Sequence, residues 1–264
     1  MTMPDLVLLT RDARGVATIT LNRPDKRNAF DATLITQLHA AVQSVEDDSS
    51  VRVVVLTGAG NVFSAGADLA HMRRQGTMSQ QENYEDAHAF AQCLRALDGL
   101  SKPVVARVNG GAYGGGVGLI ACADIAIGMT TAKFALTEVR FGIVPAVISP
   151  YVVAAIGARH ARRWFLTAMA LDAKSARGID LLHQVVADIG SLDAAVEESI
   201  VLLLKGGALA HREAKQLLRD VRELAANDLP HHTASLLARL RSSPEGKEGL
   251  AAFLENRKTD WDRS

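Results

Sequence analysis

Pro103-Val-Val-Ala-Arg-Val-Asn-Gly-Gly-Ala-Tyr-Gly-Gly-Gly-Val-Gly-Leu-Ile120 carries a β-branched run straight into a glycine-rich turn. Pro103 to Val108 reads as a buried strand with proline at its first position. Each glycine costs a helix about 1 kcal/mol relative to alanine. The stretch Gly110 to Met129, with Asp124 as its single charge, therefore reads as loop, short buried helix near Gly115 and a return to strand over Ile120 to Ile127. It is not the apolar helix of roughly 20 residues that spans a bilayer. A turn of this kind, paired with the earlier loop Phe63-Ser-Ala-Gly-Ala-Asp68, can offer two backbone N–H groups to an oxyanion.

Outward from this turn, the chain alternates strands and helices. Val16 to Leu21 and Val51 to Thr57 are β-branched runs, and between them Leu34, Leu38, Ala41 and Val45 recur at helical spacing over Thr33 to Val45. A second helix is expected from about Gln80 to Leu100, ahead of the Pro103 strand. The β-α-β order then repeats. From about Ser149 the texture becomes Ala/Leu/Arg-rich and amphipathic, with helices expected over Ala154 to Ala168, Leu192 to Leu204, Ala208 to Ala226 and Pro230 to Arg241. No Pro/Ser-rich linker divides the chain. An α/β core over residues 1–200 and a helical C-terminal region over 201–264, used for subunit contacts, are the expected parts.

At 264 residues and 48% hydrophobic content the chain can bury a substantial core. Its 29 Lys and Arg balance 29 Asp and Glu, so no basic surplus points to nucleic acid. Cys93 and Cys122 have no CxxC spacing and no histidine partner in motif, and read as reduced, buried small residues; no metal site is expected. Met1 to Thr10 has no basic n-region, and its apolar run is broken at Asp5 and Thr10, so cytoplasm is the expected location, with no membrane partner. Leu56-Thr-Gly-Ala-Gly60 follows a strand but lacks the third glycine of a dinucleotide fingerprint, since Phe63 stands there. Neither a phosphate-binding G-x-x-x-x-G-K-[ST] nor a zinc-binding H-E-x-x-H occurs, and Ser64 is not in a G-x-S-x-G elbow. His71, His211, His231 and His232 have no motif partners and are expected to be solvated or on helix surfaces.

Taken in order, Leu21-Asn-Arg-Pro-Asp-Lys-Arg-Asn-Ala29, the Ala65-Gly-Ala-Asp68 loop, Lys102-Pro-Val-Val-Ala, Asn109-Gly, the triple glycine, Asp124, Glu138 and Pro145 resemble the enoyl-CoA hydratase/isomerase, or crotonase, superfamily over roughly residues 6–258. The resemblance implies an α/β fold, a spiral of repeated ββα units with a helical C-terminal region, and a coenzyme A thioester as substrate, with no separate cofactor. It implies that the N–H groups of Ala67 and Gly115 form an oxyanion hole and that Glu138 exchanges a proton with substrate carbon. The Ala65 carbonyl would accept the adenine amino group. Lys26 and Arg27 would meet the phosphates, and Lys258 would reach a neighbouring subunit's coenzyme A. Asp68 and Gly118 are counted with the substrate-binding residues. Homotrimers or dimers of trimers are the implied assembly.

One departure matters. Where two-acid members carry their first glutamate, this chain has Gly118. A single acid can still serve a hydratase, because syn addition lets one group take the proton from water and return it to the α-carbon. It also fits the isomerases that move a double bond. The stretch Thr137 to Tyr151, with Gly118, is similar to bacterial methylglutaconyl-CoA hydratases of leucine breakdown and their isohexenylglutaconyl relatives. Those substrates carry a second carboxylate. Arg140, two residues after Glu138, has two readings of equal weight: it binds that carboxylate, or it shares a strand face with Glu138 and holds it ionised. Hydration of a branched 2-enoyl-CoA, carboxylated or not, is the expected activity. The alternatives are a Δ3-Δ2 enoyl-CoA isomerase and a non-catalytic CoA-ester or RNA-binding relative.

Overall fold

The computed structural model describes residues 5–262. In chain order its strands and helices are β1 (Val7–Arg11), β2 (Val16–Leu21), α1 (Ala32–Asp47), β3 (Val53–Gly58), β4 (Val62–Ser64), α2 (Leu69–Gln75), α3 (Gln80–Gly99), β5 (Val104–Val108), β6 (Gly111–Tyr113), α4 (Gly115–Ala121), β7 (Ile125–Met129) and β8 (Lys133–Ala135). There follow α5 (Ser149–Thr167), β9 (Leu171–Asp172), α6 (Ala173–Gly178), β10 (Gln184–Val186), α7 (Ile189–Leu204), α8 (Ala208–Glu223), α9 (Leu229–Ser242) and α10 (Pro244–Leu254). Short 3₁₀ turns cover Pro24–Lys26 and Glu138–Phe141.

The long strands form one sheet in the order β1-β2-β3-β5-β7-β10, parallel except for the β1–β2 pair, and the short strands form a second in the order β4-β6-β8-β9. Each pass of the chain lays a strand in the first sheet, then one in the second, then a helix: β3-β4-α2, β5-β6-α4 and β7-β8-α5. This is the expected spiral of ββα units. The three-residue strands β4, β6 and β8 are too short for a period-two pattern, which is why the alternation reads from sequence as β-α-β.

Period-two alternation assigns the two faces of the long sheet. Ala17, Ile19, Leu21, Val54, Leu56, Val104, Ala106 and Val108 pack into the main core, with Leu34, Leu38, Leu94 and Leu97 from α1 and α3. Val16, Val53, Val55, Val105 and Ile127 face the other way, onto Leu192, Val196, Ile200 and Leu204 of α7. Strong N-caps start the helices: Asp31 accepts from Leu34 N at 2.9 Å, and Ser79 with Glu82 forms a capping box. The strand read over Ile120 to Ile127 is corrected in part, because α4 runs to Ala121 and β7 begins at Ile125. Three glycines fail to stop that helix because it is buried between β4, β6 and α5, so packing outweighs propensity.

α8 is tied to the core by Lys215, whose buried ammonium donates to Asp124 Oδ2 at 2.6 Å and to the Lys102 carbonyl at 3.1 Å. Among the described residues no helix is long and apolar enough to cross a membrane. Cys93 and Cys122 are free and buried, and burial pushes the Cys93 thiol up to about 12.

Candidate active site

Two loops and one 3₁₀ turn meet beside the short sheet. The first loop follows β4. Its Gly66 has φ +81°, and a Cβ there would lie 2.8 Å from the Tyr113 carbonyl oxygen, so the loop needs glycine both for its dihedral and for its close approach to the second loop. Phe30 holds it by a strand-like clasp: Phe30 N donates to Gly66 O at 2.7 Å, and Asp68 N donates to Phe30 O at 2.8 Å. Gly66 N is taken by Ser64 Oγ at 3.2 Å. Ala67, between these bonded residues, is exposed, and its N–H has no acceptor among the described residues.

The second loop joins β6 to α4. Gly114, at φ +48°, donates to Ala135 O at 3.1 Å, which fixes the turn against the end of β8. Gly115 is then the first residue of α4, and its N–H has no acceptor among the described residues. The first N–H groups of a helix are left open by the i to i−4 bonding pattern, so sequence and geometry agree on why this one is free. The wall behind it is aromatic. Phe30 and Phe90 pack at a ring separation of 5.3 Å, and a Cβ on Gly115 would lie 2.9 Å from Phe90 Cζ and 3.1 Å from Phe30 Cε2.

Glu138 closes the third side. A Cβ on Gly114 would lie 3.3 Å from Glu138 Oε1 and 4.0 Å from Gly66 Cα, so the carboxyl stands over the seam between the two loops. Its Oε2 is buried with no hydrogen-bond partner. Burial raises the Glu138 carboxyl above its ordinary range, offset in part by a backbone hydrogen bond to its own residue. An acid with a free oxygen and a raised proton affinity, beside two open N–H donors, can both accept and return a proton. Glu138, Ala67 and Gly115 are therefore brought together.

The other sequence candidates divide. Lys26 and Arg27 are exposed on the turn before Asn28, and Arg27 O accepts from Ala65 N at 2.8 Å, so these residues and Ala65 share one edge of the first loop. Asn28 locks that edge: its buried side chain accepts from Arg23 N and donates to Ala59 O and Val62 O, all at 2.8–2.9 Å. The Asp68 carboxylate is committed inside the protein. It caps α2 through Ala70 N at 2.7 Å and His71 N at 3.1 Å, and pairs with Arg23 at 3.0 Å. Burial pushes it up, but those N–H groups and the guanidinium leave it below the usual carboxylate range. Gly118 is buried, and Ile148 fills the space that a Cβ on it would enter. Lys258 follows α10 and pairs with Asp262 at 3.8 Å.

Two expectations are corrected. Glu138 and Arg140 lie on a 3₁₀ turn, not a strand, and the Arg140 guanidinium donates to Ala168 O at 2.9 Å, where it caps the C-terminal end of α5 instead of meeting Glu138. Of its two readings, the one in which it holds Glu138 ionised is not the contact made. His71 is not on the surface: it is buried, hydrogen-bonded to Asp86 and Arg74. Its position three residues after Asp68, in the first turn of the helix that the loop leads into, was the available signal. Phe30, Phe90 and Ile148, which shape the site, have no motif of their own in sequence. Among the described residues no group of three or more His, Cys, Asp or Glu side chains is placed to hold a metal ion.

Residues 11–264 match the family model described as enoyl-CoA hydratase/isomerase. A crystal structure of an enoyl-CoA hydratase from Shewanella pealeana superposes with a TM-score of 0.93 at 39% identity, covering 97% of this chain and 96% of that one. A crotonyl-CoA hydratase of Syntrophomonas wolfei is 30% identical, with 97% of each chain covered. A 2,3-dehydroadipyl-CoA hydratase of Escherichia coli is 30% identical over 97% of this chain and 98% of its own. With its spiral of ββα units and its two loops facing Glu138, the chain belongs to the enoyl-CoA hydratase/isomerase family.

Proposed function

We propose that this enoyl-CoA hydratase adds water reversibly, in syn fashion, to a branched 2-enoyl-CoA, and that the acyl chain bears a second carboxylate, as in methylglutaconyl-CoA of leucine breakdown. The observation that carries the chemistry is Glu138, with one buried carboxyl oxygen free of partners, set against Gly114 and next to the open N–H of Gly115. The thioester carbonyl lies between Ala67 N and Gly115 N. Glu138 takes a proton from water as the water oxygen bonds to the β-carbon, and the π electrons move onto the thioester oxygen. The resulting enolate is held by the two N–H donors, and Glu138 returns the proton to the α-carbon. Fixed donors of this kind typically contribute about 2.7–4 kcal/mol each to the transition state. The raised proton affinity of Glu138 suits an acid that must carry the proton between the two steps.

The branched, carboxylated acyl chain rests on the sequence around Gly118 and Thr137 to Tyr151. Relatives of equal identity act by name on crotonyl-CoA and on 2,3-dehydroadipyl-CoA, a straight and a carboxylated chain, so family likeness alone favours neither. Arg140, committed to Ala168 O by one nitrogen, keeps other donors for a substrate carboxylate. Lys26, Arg27 and the Ala65 carbonyl serve the coenzyme A moiety. Leu250, Phe253 and Leu254 of the C-terminal region are exposed, in keeping with a homotrimer or dimer of trimers.

A second reading, Δ3-Δ2 isomerisation, is favoured by Ile148, which fills the space beside Gly118 and leaves Glu138 as the acid of the site. The deciding assay follows loss of the conjugated thioester absorbance over a panel that sets 3-methylglutaconyl-CoA beside crotonyl-CoA. Preference for the former and loss of turnover in Glu138→Gln, with CoA-ester binding kept, are expected. Preference for crotonyl-CoA defeats the branched substrate, and a shifted double bond without hydration selects the isomerase.

A further inference from the structure

α2 starts immediately after the Asp68 cap, two residues from the Ala67 donor, yet it has almost no hydrophobic anchorage. His71 is the one buried residue of this seven-residue helix, and Leu69 at its start is 73% exposed. A helix of this length has no stability of its own in water, so its place is set by contacts with the rest of the molecule. Those contacts are polar and converge on Asp86 of α3. His71 Nε2 lies 3.0 Å from Asp86 Oδ1, and Gln75 Nε2 donates to Asp86 Oδ2 at 2.7 Å. Asn83, also on α3, donates to the Gln75 carbonyl at 3.1 Å.

The ring's tautomer follows from its partners. Arg74 NH2 is 3.1 Å from His71 Nδ1, and a guanidinium can only donate, so Nδ1 accepts and the proton sits on Nε2, directed at Asp86. Both ring nitrogens are thus bonded, and the buried imidazole carries no orphaned polar atom. A leucine here would fill the space without fixing the direction of the helix. The His–Asp contact fixes both.

We infer that His71, held by Asp86, is a positioning residue for the oxyanion donor at Ala67: it pins α2 to α3 and thereby sets where the Asp68 cap, and the peptide N–H before it, point. The chain of contacts is continuous. Asp86 binds His71, the His71 backbone N–H binds Asp68 Oδ1, and the Asp68 backbone N–H binds Phe30 O, with Ala67 next to it. The inference deepens the hydratase reading and rests on its placement of the thioester carbonyl at Ala67 and Gly115.

The test uses the full chain and a non-reacting probe, butyryl-CoA labelled with carbon-13 at the thioester carbonyl, whose infrared stretch falls when the oxygen accepts strong hydrogen bonds. In the wild-type protein the stretch of the bound probe moves to lower frequency. In His71→Leu it returns toward the free value, kcat falls by about tenfold or more while KM changes by less than about threefold, and His71→Gln, whose amide N–H reaches Asp86, restores most of both. Asp86→Ala, a favourable helix substitution on a partly exposed position, reproduces the loss from the other side and serves if His71→Leu does not fold. A His71→Leu or Asp86→Ala protein with wild-type carbonyl frequency overturns the inference, whatever its thermal stability, and leaves the hydratase reading standing. A wild-type protein that leaves the bound carbonyl at its free frequency overturns the placement of the thioester and the inference together.

Discussion

Ile148 occupies the space a side chain at Gly118 would enter: a Cβ on Gly118 would lie 2.8 Å from Ile148 Cβ and closer still to its Cγ2. Ile148 is 3% exposed at the start of α5, and Leu94 of α3 stands 3.7 Å from the same point. The glycine and the isoleucine are therefore one packing decision. Gly118→Ala is expected to destabilise the protein, because overpacking of about 1–3 kcal/mol outweighs a helix-propensity gain of at most about 1 kcal/mol. Combined with Ile148→Ala it should cost less than the sum of the single changes. Urea denaturation of the four proteins measures that coupling, and additive effects would show that Ile148 yields freely.

Gly115→Ala should act on turnover more than on the fold as a whole. The new methyl meets Phe90 at 2.9 Å and Phe30 at 3.1 Å, so either the aromatic pair or the Gly115 peptide must shift. Displacement of the donor lowers kcat by about tenfold to a thousandfold, the range seen when one oxyanion donor is lost. Steady-state kinetics with any accepted enoyl-CoA checks this, and Phe90→Leu in the same chain should recover part of the loss by opening the wall.

Glu138 carries a stability signature that is separate from its proposed part in the reaction. Its folded-state proton affinity is raised by burial, so the folded chain binds more protons than the unfolded one as pH climbs from the unfolded to the folded value. Stability contributed by this group is present below the unfolded value and is lost as pH rises through the folded value. Glu138→Gln removes the charged form, so its melting temperature should exceed that of wild type at neutral pH and converge with it in acid. Melting curves at pH 4 and pH 7.5 test the sign, and a difference that grows on acidification contradicts it.

Lys215 links the C-terminal helices to the α/β core. Its ammonium is buried between Asp124 Oδ2 and the Lys102 carbonyl. Lys215→Met keeps the apolar stem but removes two hydrogen bonds donated by a charged group, one of them to a carboxylate, and should cost about 1.5–3 kcal/mol. The loss should show in urea midpoints and in earlier hydrogen exchange of α8, with turnover per folded molecule little changed.

Much of the architecture was legible in the residues. The long strands and the helices α1, α3, α7, α8 and α9 have period-two or helical patterns over enough residues to be read, and α1 and α3 carry recognisable caps. The short strands β4, β6 and β8 and the helix α2 lack that length, and their places come from pairing and polar contacts with distant segments. Arg140 illustrates the same limit. Its spacing from Glu138 suggested a shared strand face, whereas the backbone turns at Glu138 and sends the guanidinium to the end of α5.

The sequence by itself determined the family, the candidate acid Glu138 and the two glycine-bearing loops, because these are local demands: positive φ, close backbone approach, a carboxyl in a given order. Only the tertiary structure decided that Glu138 sets one carboxyl oxygen over Gly114 and leaves the other buried without a partner, that Ile148 fills the space beside Gly118, and that His71 is buried against Asp86. Each of these joins residues on separate elements of the chain. Their side-chain volumes and hydrogen-bonding capacities are written in the sequence, but which of them meet is set by how the sheets and helices pack.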